Sequence, residues 1–167
     1  LQLSNNDNHR INTTRDHAID SANSLRFNAN VTYNEAEQTT RSTSVTMTVA
    51  NTLQNANSRD AYNAATALTL NSSLLFRHKF ARKGRTFSSN LTLGVGQNDA
   101  EGTLTSSNQF FVGPIEKIDL LQTNAQSTDN LSYGANLSYT EPLGKRRYLE
   151  ALYNYRTNLN EVDREVF

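Results

Sequence analysis

Apolar and polar residues alternate with a period of two along most of this chain, and helical periodicity is scarce. In residues 25–35, "LRFNANVTYNE", Leu25, Phe27, Ala29, Val31 and Tyr33 share one face and Arg26, Asn28, Asn30 and Thr32 the other. In 66–80, "TALTLNSSLLFRHKF", Leu68, Leu70, Leu74, Phe76 and Phe80 oppose Thr69, Asn71, Ser73, Arg77 and Lys79. Residues 86–97 set Phe87, Leu91, Leu93 and Val95 against Ser88, Asn90, Thr92 and Gly94. Residues 131–140 set Leu131, Tyr133, Ala135, Leu137 and Tyr139 against Ser132, Gly134, Asn136 and Ser138. Leu149, Ala151, Tyr153, Tyr155 and Leu159 line one side of 147–159, and a weaker pattern with Ile11 and Ile19 in phase precedes them all. These stretches predict six strands, near 9–19, 25–35, 62–80, 86–97, 129–140 and 147–159.

The predicted connections alternate in length. "DSANS" (20–24), "ARKGR" (81–85) and "EPLGKR" (141–146) are short, and the last two carry the turn chemistry of Gly and Pro. Residues 36–61 and 98–128 are long, polar and read as loops, longer than a compact domain normally holds. Short turns at one end, long loops at the other and strands of about 9–11 residues are the pattern of an up-and-down transmembrane β-barrel. The fold class expected is therefore all-β: an antiparallel up-and-down transmembrane barrel segment of about six strands, with periplasmic turns and extracellular loops. Aromatic placement adds to this, because such barrels carry girdles at both membrane interfaces. Phe27, Phe76, Phe80, Phe87, Tyr139 and Tyr148 lie beside the short turns; Tyr33, Tyr62, Tyr133 and Tyr155 lie toward the long segments. The lipid-facing and girdle candidates are Phe27, Tyr33, Phe76, Phe80, Phe87, Leu91, Leu93, Tyr133, Leu137, Tyr139, Tyr148 and Tyr153. The competing expectation is a soluble or surface β-sandwich or solenoid used for adhesion or binding, whose apolar faces would meet each other.

Composition limits the alternatives. Only 36% of the 167 residues are hydrophobic, so a large protein core is not on offer. Sixteen basic residues balance 16 acidic ones, which argues against a nucleic-acid binder. The chain contains no cysteine, so it has no disulfides and no thiol chemistry. It has no apolar run near 18 residues for a membrane helix, and no basic-then-apolar leader opens it. Single-chain bacterial barrels begin at about 8 strands, so six strands are expected to be a segment of a larger barrel domain, with residues 1–167 one continuous piece.

"LLFRHKFARKGRTFSSNLTLG" (74–94), "LSYGANLSYTEPLGKRRYLEALYNY" (131–155) and "DSANSLRFNANVTY" (20–33) are similar to hairpins of the large outer-membrane β-barrel family related to TonB-dependent receptors. The resemblance covers residues 8–160. Its motifs are turn-and-strand patterns, informative about architecture and weak about substrate. It implies a barrel of about 22 strands, the size at which the lumen holds a plug. It further implies bacterial outer-membrane localisation and a scaffold role in nutrient import. The implied partners are membrane lipid, the rest of the barrel and its plug. Through the parent protein they extend to a surface lipoprotein and an inner-membrane energy-coupling complex. Neither a plug nor an energy-coupling box is recognisable in these residues.

No catalytic, metal or cofactor set can be nominated. His9 and His17 are separated by about 26 Å of extended chain, and His78 stands apart, whereas zinc needs clustered ligands. No nucleophile elbow occurs. Asp99, Glu101, Glu116 and Asp119 fit solvation better than acid–base catalysis. "GVG" at 94–96 is expected to mark a kink or bulge. The basic cluster Arg77, His78, Lys79, Arg82, Lys83 and Arg85 is expected to be a solvated turn, with headgroup or partner docking the alternative. Phe110, Phe111 and Val112 are expected to pack down the second long loop.

Overall fold

The computed structural model describes residues 1–144 and 146–167. Six strands, β1 (Gln2–Ala18), β2 (Asn23–Met47), β3 (Leu53–Lys79), β4 (Thr86–Phe110), β5 (Glu116–Gly144) and β6 (Arg147–Val166), form one sheet in sequence order. Every neighbouring pair is antiparallel. The all-β, up-and-down architecture expected from the period-two pattern is what the chain adopts. The sheet is not closed; β1 and β6 are its edges.

The strands overrun their predicted limits. Residues 36–61 and 98–128, expected to be loops, are mostly strand, and the connections within them shrink to 48–52 and 111–115. The physical reason lies in the backbone. Each N–H and C=O needs a partner, and antiparallel pairing with a neighbour on each side supplies them without any apolar residue. Thr, Ser, Asn and Gln dominate these stretches, so they lack an apolar stripe while the ladder continues: Glu35↔Thr66 through Thr46↔Asn55, and Asp99↔Ser127 through Phe110↔Glu116. Thirteen residues from Glu35 to Met47 carry this hairpin roughly 40 Å beyond the apolar part of the sheet. Phe110 ends β4, half-buried and paired with Glu116; Phe111 and Val112 follow at the hairpin tip rather than on a long loop, Phe111 half-buried and Val112 70% exposed.

At the other end the connections are short. Asp20 caps the β1–β2 turn: its Oδ1 accepts from the Ala22 and Asn23 amides, both at 2.7 Å. The β3–β4 turn closes with Arg85 N–H donating to the Arg82 carbonyl at 3.0 Å. Gly84 sits there at φ 89°, a position where any Cβ would be strained. The β5–β6 turn follows a register shift between Pro142 and Gly144; Lys145, within the predicted "EPLGKR" turn, lies outside the described residues. Gly94 and Gly96 mark no bulge, since the register runs unbroken through both.

The described residues contain no buried hydrophobic core. The accessible surface is 12379 Å2, against about 8,300 Å2 for a compact soluble protein of this mass. A sandwich needs two apposed sheets, and this chain forms one. Its cohesion therefore comes from strand pairing and from close approach on each face. Gly134 shows how close: a Cβ there would meet the Tyr155 carbonyl oxygen at 2.8 Å and Thr92 Oγ1 at 3.0 Å.

Two outcomes follow. Amides of 36–47 and 98–110 are expected to exchange with solvent as slowly as strand amides, not on the fast timescale of open loops; hydrogen exchange checks this. Gly134→Ala is expected to destabilise the β5–β6 pairing by about 1–3 kcal/mol, because backbone must move. Gly94→Ala, which meets a rotatable Ser132 hydroxyl, is expected to cost less; urea titration of both variants separates them.

Candidate functional site

Antiparallel register converts the sequence alternation into two continuous surfaces. On the first, residues pair across the whole sheet as Ile11, Val31, Leu70, Val95, Leu131 and Leu159: six apolar side chains in one row. Two rows nearer the short turns lie Phe27, Leu74, Leu91, Ala135 and Tyr155, followed by Leu25, Phe76, Ser89, Leu137 and Tyr153, then His78, Phe87, Tyr139 and Ala151. The apolar stretch of β2 runs from Leu25 to Tyr33, nine residues, matching the length that crosses a bilayer on a tilt. These side chains are uncovered: Leu91 is 49% exposed and Leu93 41%.

Eleven of the twelve girdle and lipid-facing candidates occupy this surface: Phe27, Tyr33, Phe76, Phe80, Phe87, Leu91, Leu93, Tyr133, Leu137, Tyr139 and Tyr153. Tyr148 does not. It pairs with Pro142 and shares the polar face with Glu150, because its even position is out of phase with Leu149 and Tyr153. Its ring lies beside the β3–β4 turn, where a Cβ on Gly84 would come within 3.2 Å of it. The apolar surface also stops at β1, which places Arg15 beside Phe27 and His17 beside Leu25.

The second surface is a field of amides and hydroxyls. Asn30 donates to Asn12, Thr14 to Asn28 at 3.1 Å, and Asn28 to Ser73 at 3.3 Å. Arg26 is bound to Asp16 through Nε and Nη2, at 2.5 and 3.1 Å. Of the polar-face residues singled out from sequence, Arg26, Asn28, Asn30, Asn71, Arg77, Asn90 and Asn136 all lie here.

Charge is sorted along the apolar surface. From its far edge, the row of Tyr33 and Leu68, outward, three successive rows on the same face carry Asp7, Glu35, Glu37, Asp99, Glu101, Asp129, Glu161, Asp163 and Glu165, with no Lys or Arg among them. A depression of about 480 Å3 lies over Asp99, Glu101, Asp163 and Glu165. The sequence signal for this belt is the i, i+2 spacing of acids just past the apolar stretches of β2 (Glu35, Glu37), β4 (Asp99, Glu101) and β6 (Glu161, Asp163, Glu165), visible once register aligns the strands. Among the described residues no three His, Asp or Glu side chains converge as a metal site.

At the opposite edge stands a compact cationic and aromatic cluster. Glu141 accepts from Arg82 Nη1 at 2.6 Å, Arg85 Nε at 2.6 Å, Arg85 Nη2 at 2.8 Å and the Tyr139 hydroxyl at 2.7 Å. Phe80 packs edge-on against His78 at 4.4 Å and Tyr139 at 6.1 Å between centroids, with the Arg85 guanidinium 5.9 Å from its ring. The β3–β4 turn is thereby pinned to β5. Arg77 and Lys79, grouped with this cluster by sequence, point to the polar face instead.

No protein-family model and no curated protein matches the sequence. Among solved structures, the chain is similar to one in the RagAB peptide importer in its open-open state. That match has 8% identity and a TM-score of 0.42, and covers 94% of this chain and 20% of that one. It is also similar to Clostridium perfringens delta-toxin at 7% identity and a TM-score of 0.23, covering 91% of this chain and 95% of that one. The chain thus spans 20% of the importer chain's length.

The Asp20 carboxyl is held below its ordinary range, chiefly by the Asn23 side-chain amide, then by the Ala22 and Asn23 backbone amides. A depressed folded-state pKa means that its contribution is complete above the ordinary value of 3.8 and is lost as pH falls through the folded value. NMR titration of the Asp20 side-chain carbon is expected to give a midpoint below 3.8. Asp20→Ala is expected to speed amide exchange at Ala22 and Asn23 at neutral pH.

Proposed function

We propose that this sheet is a wall segment of a bacterial outer-membrane β-barrel of the kind related to TonB-dependent receptors, and serves as scaffold for nutrient import. The observation that carries the reading is the uncovered apolar surface shared by β2 to β6, one bilayer crossing tall, backed by an amide and hydroxyl face. The apolar surface faces acyl chains; the polar face looks into a wet lumen. Closure by further strands satisfies the edge groups of β1 and β6, which lipid cannot do. The absence of a core is then physical sense rather than a deficiency, since lipid takes the place of a second layer.

On this reading the segment is not an enzyme and holds no cofactor. Its partners are outer-membrane lipid, the remaining barrel and its plug. Through the parent protein they extend to a surface lipoprotein and an inner-membrane energy-coupling complex. The polar hairpin extensions stand in water outside the membrane, where both faces of a strand can be hydrophilic.

Adjacent residues on β4 test the assignment. Leu91 lies mid-band between Leu74 and Ala135; Asn90 lies on the other face beside Asn136. In the full-length chain folded into vesicles, Leu91→Arg is expected to cost about 2–4 kcal/mol, the penalty for a cation at mid-bilayer. Asn90→Arg is expected to be tolerated, as lumen substitutions are. The folded fraction measured against urea reads both; equal penalties would refute the orientation.

A further inference from the structure

The two rims of the apolar surface are electrically opposite. The far rim carries nine carboxylates with no Lys or Arg in its three rows. At the turn rim, Arg82, Lys83 and Arg85 are opposed within the β3–β4 turn cluster by one carboxylate, that of Glu141. Resting on the membrane-wall reading, we infer that the β3–β4 turn is a binding site for the phosphodiester of an anionic phospholipid in the leaflet beside the short turns.

Three features fit that ligand. Glu141 holds both guanidiniums in place, its side chain only 17% exposed, so little side-chain freedom remains to be lost on binding. It occupies Arg82 Nη1 and Arg85 Nε and Nη2, leaving Arg82 Nε and Nη2 and Arg85 Nη1 with donors for phosphate oxygens. Phe80 and Tyr139 continue directly into the apolar rows, so a headgroup at the guanidiniums sets its acyl chains against Leu74, Phe76 and Leu91. A zwitterionic headgroup would bring its own cation beside Arg82, Lys83 and Arg85. An anionic one would not, and so the site discriminates by charge. Lys83, at the turn, adds attraction without a fixed geometry.

The test uses the full-length protein in bilayers containing equal phosphatidylglycerol and phosphatidylcholine, each in turn carrying a photoreactive headgroup, with cross-links mapped to the 78–87 peptide. Wild type is expected to favour phosphatidylglycerol about fivefold or more, the factor one surface cation contributes. Arg82→Gln with Lys83→Gln is expected to bring the ratio near one. Glu141→Gln, which removes the one opposing charge while its amide oxygen still accepts from a guanidinium, is expected to hold or raise it, whereas a merely unfolded turn would lose it. Inorganic phosphate at millimolar concentration is expected to leave the cross-link unchanged; competition by it would make this a free-phosphate site and overturn the proposal. A ratio of one in wild type overturns it while leaving the wall reading intact, provided an acyl-chain photoprobe still labels Leu70 and Leu91. If that probe labels neither, both readings fall.

Discussion

Backbone hydrogen bonding within one antiparallel sheet is the constraint on which everything else in this molecule depends. With no core beneath it, the sheet is held by ladders that run without interruption from the short turns to the hairpin tips, apart from shifts at Thr46/Met47 and Pro142/Gly144. The ladder fixes register, and register fixes parity. A slip of one residue on any strand would carry its apolar residues to the amide face. The glycines on the amide face belong to the same economy: Gly134 lets β6 approach β5 so closely that its missing side chain is part of the pairing.

Parity then sorts the chemistry. Odd positions of β2 and β4 and even positions of β3 build the apolar surface, while their neighbours build a surface mostly of Asn, Ser, Thr and Gly, with Arg26, Leu75 and Arg77 toward the short turns. Along the apolar surface the charges separate into an acidic rim and a cationic aromatic rim. A bare apolar band of this extent is unusual for a soluble monomer. A membrane wall requires one, and the band's nine-residue crossing in β2 is the length a tilted strand needs. β1 departs from the pattern, with Arg15 and His17 level with Phe27 and Leu25, so the band belongs to β2 to β6.

Much of this was legible in the sequence. The existence, order and facing of the strands could be read from alternation alone, because period two is strong wherever one face is apolar. The strand ends could not. Beyond Tyr33 and Val95 the apolar partner vanishes from the alternation, and residues such as Thr39–Ser44 and Gly102–Ser107 look like loop while the ladder continues. The acidic belt stayed hidden for a related reason: Glu35, Asp99 and Asp163 are far apart in sequence and come into one row only through register. Tyr148, grouped with the girdle for its nearness to a turn, lies on the polar side of β6, as its even position already implied.

The most direct test of the central claim is the environment of each face in a bilayer. Nitroxide labels placed singly at residues 68 to 76 of the full-length protein can be compared for collision with oxygen, which partitions into lipid, and with a water-soluble nickel chelate. The account predicts a period of two, with oxygen favoured at 68, 70, 72, 74 and 76 and nickel at 69, 71, 73 and 75. Nickel access without alternation, or alternation of the opposite phase, would contradict it.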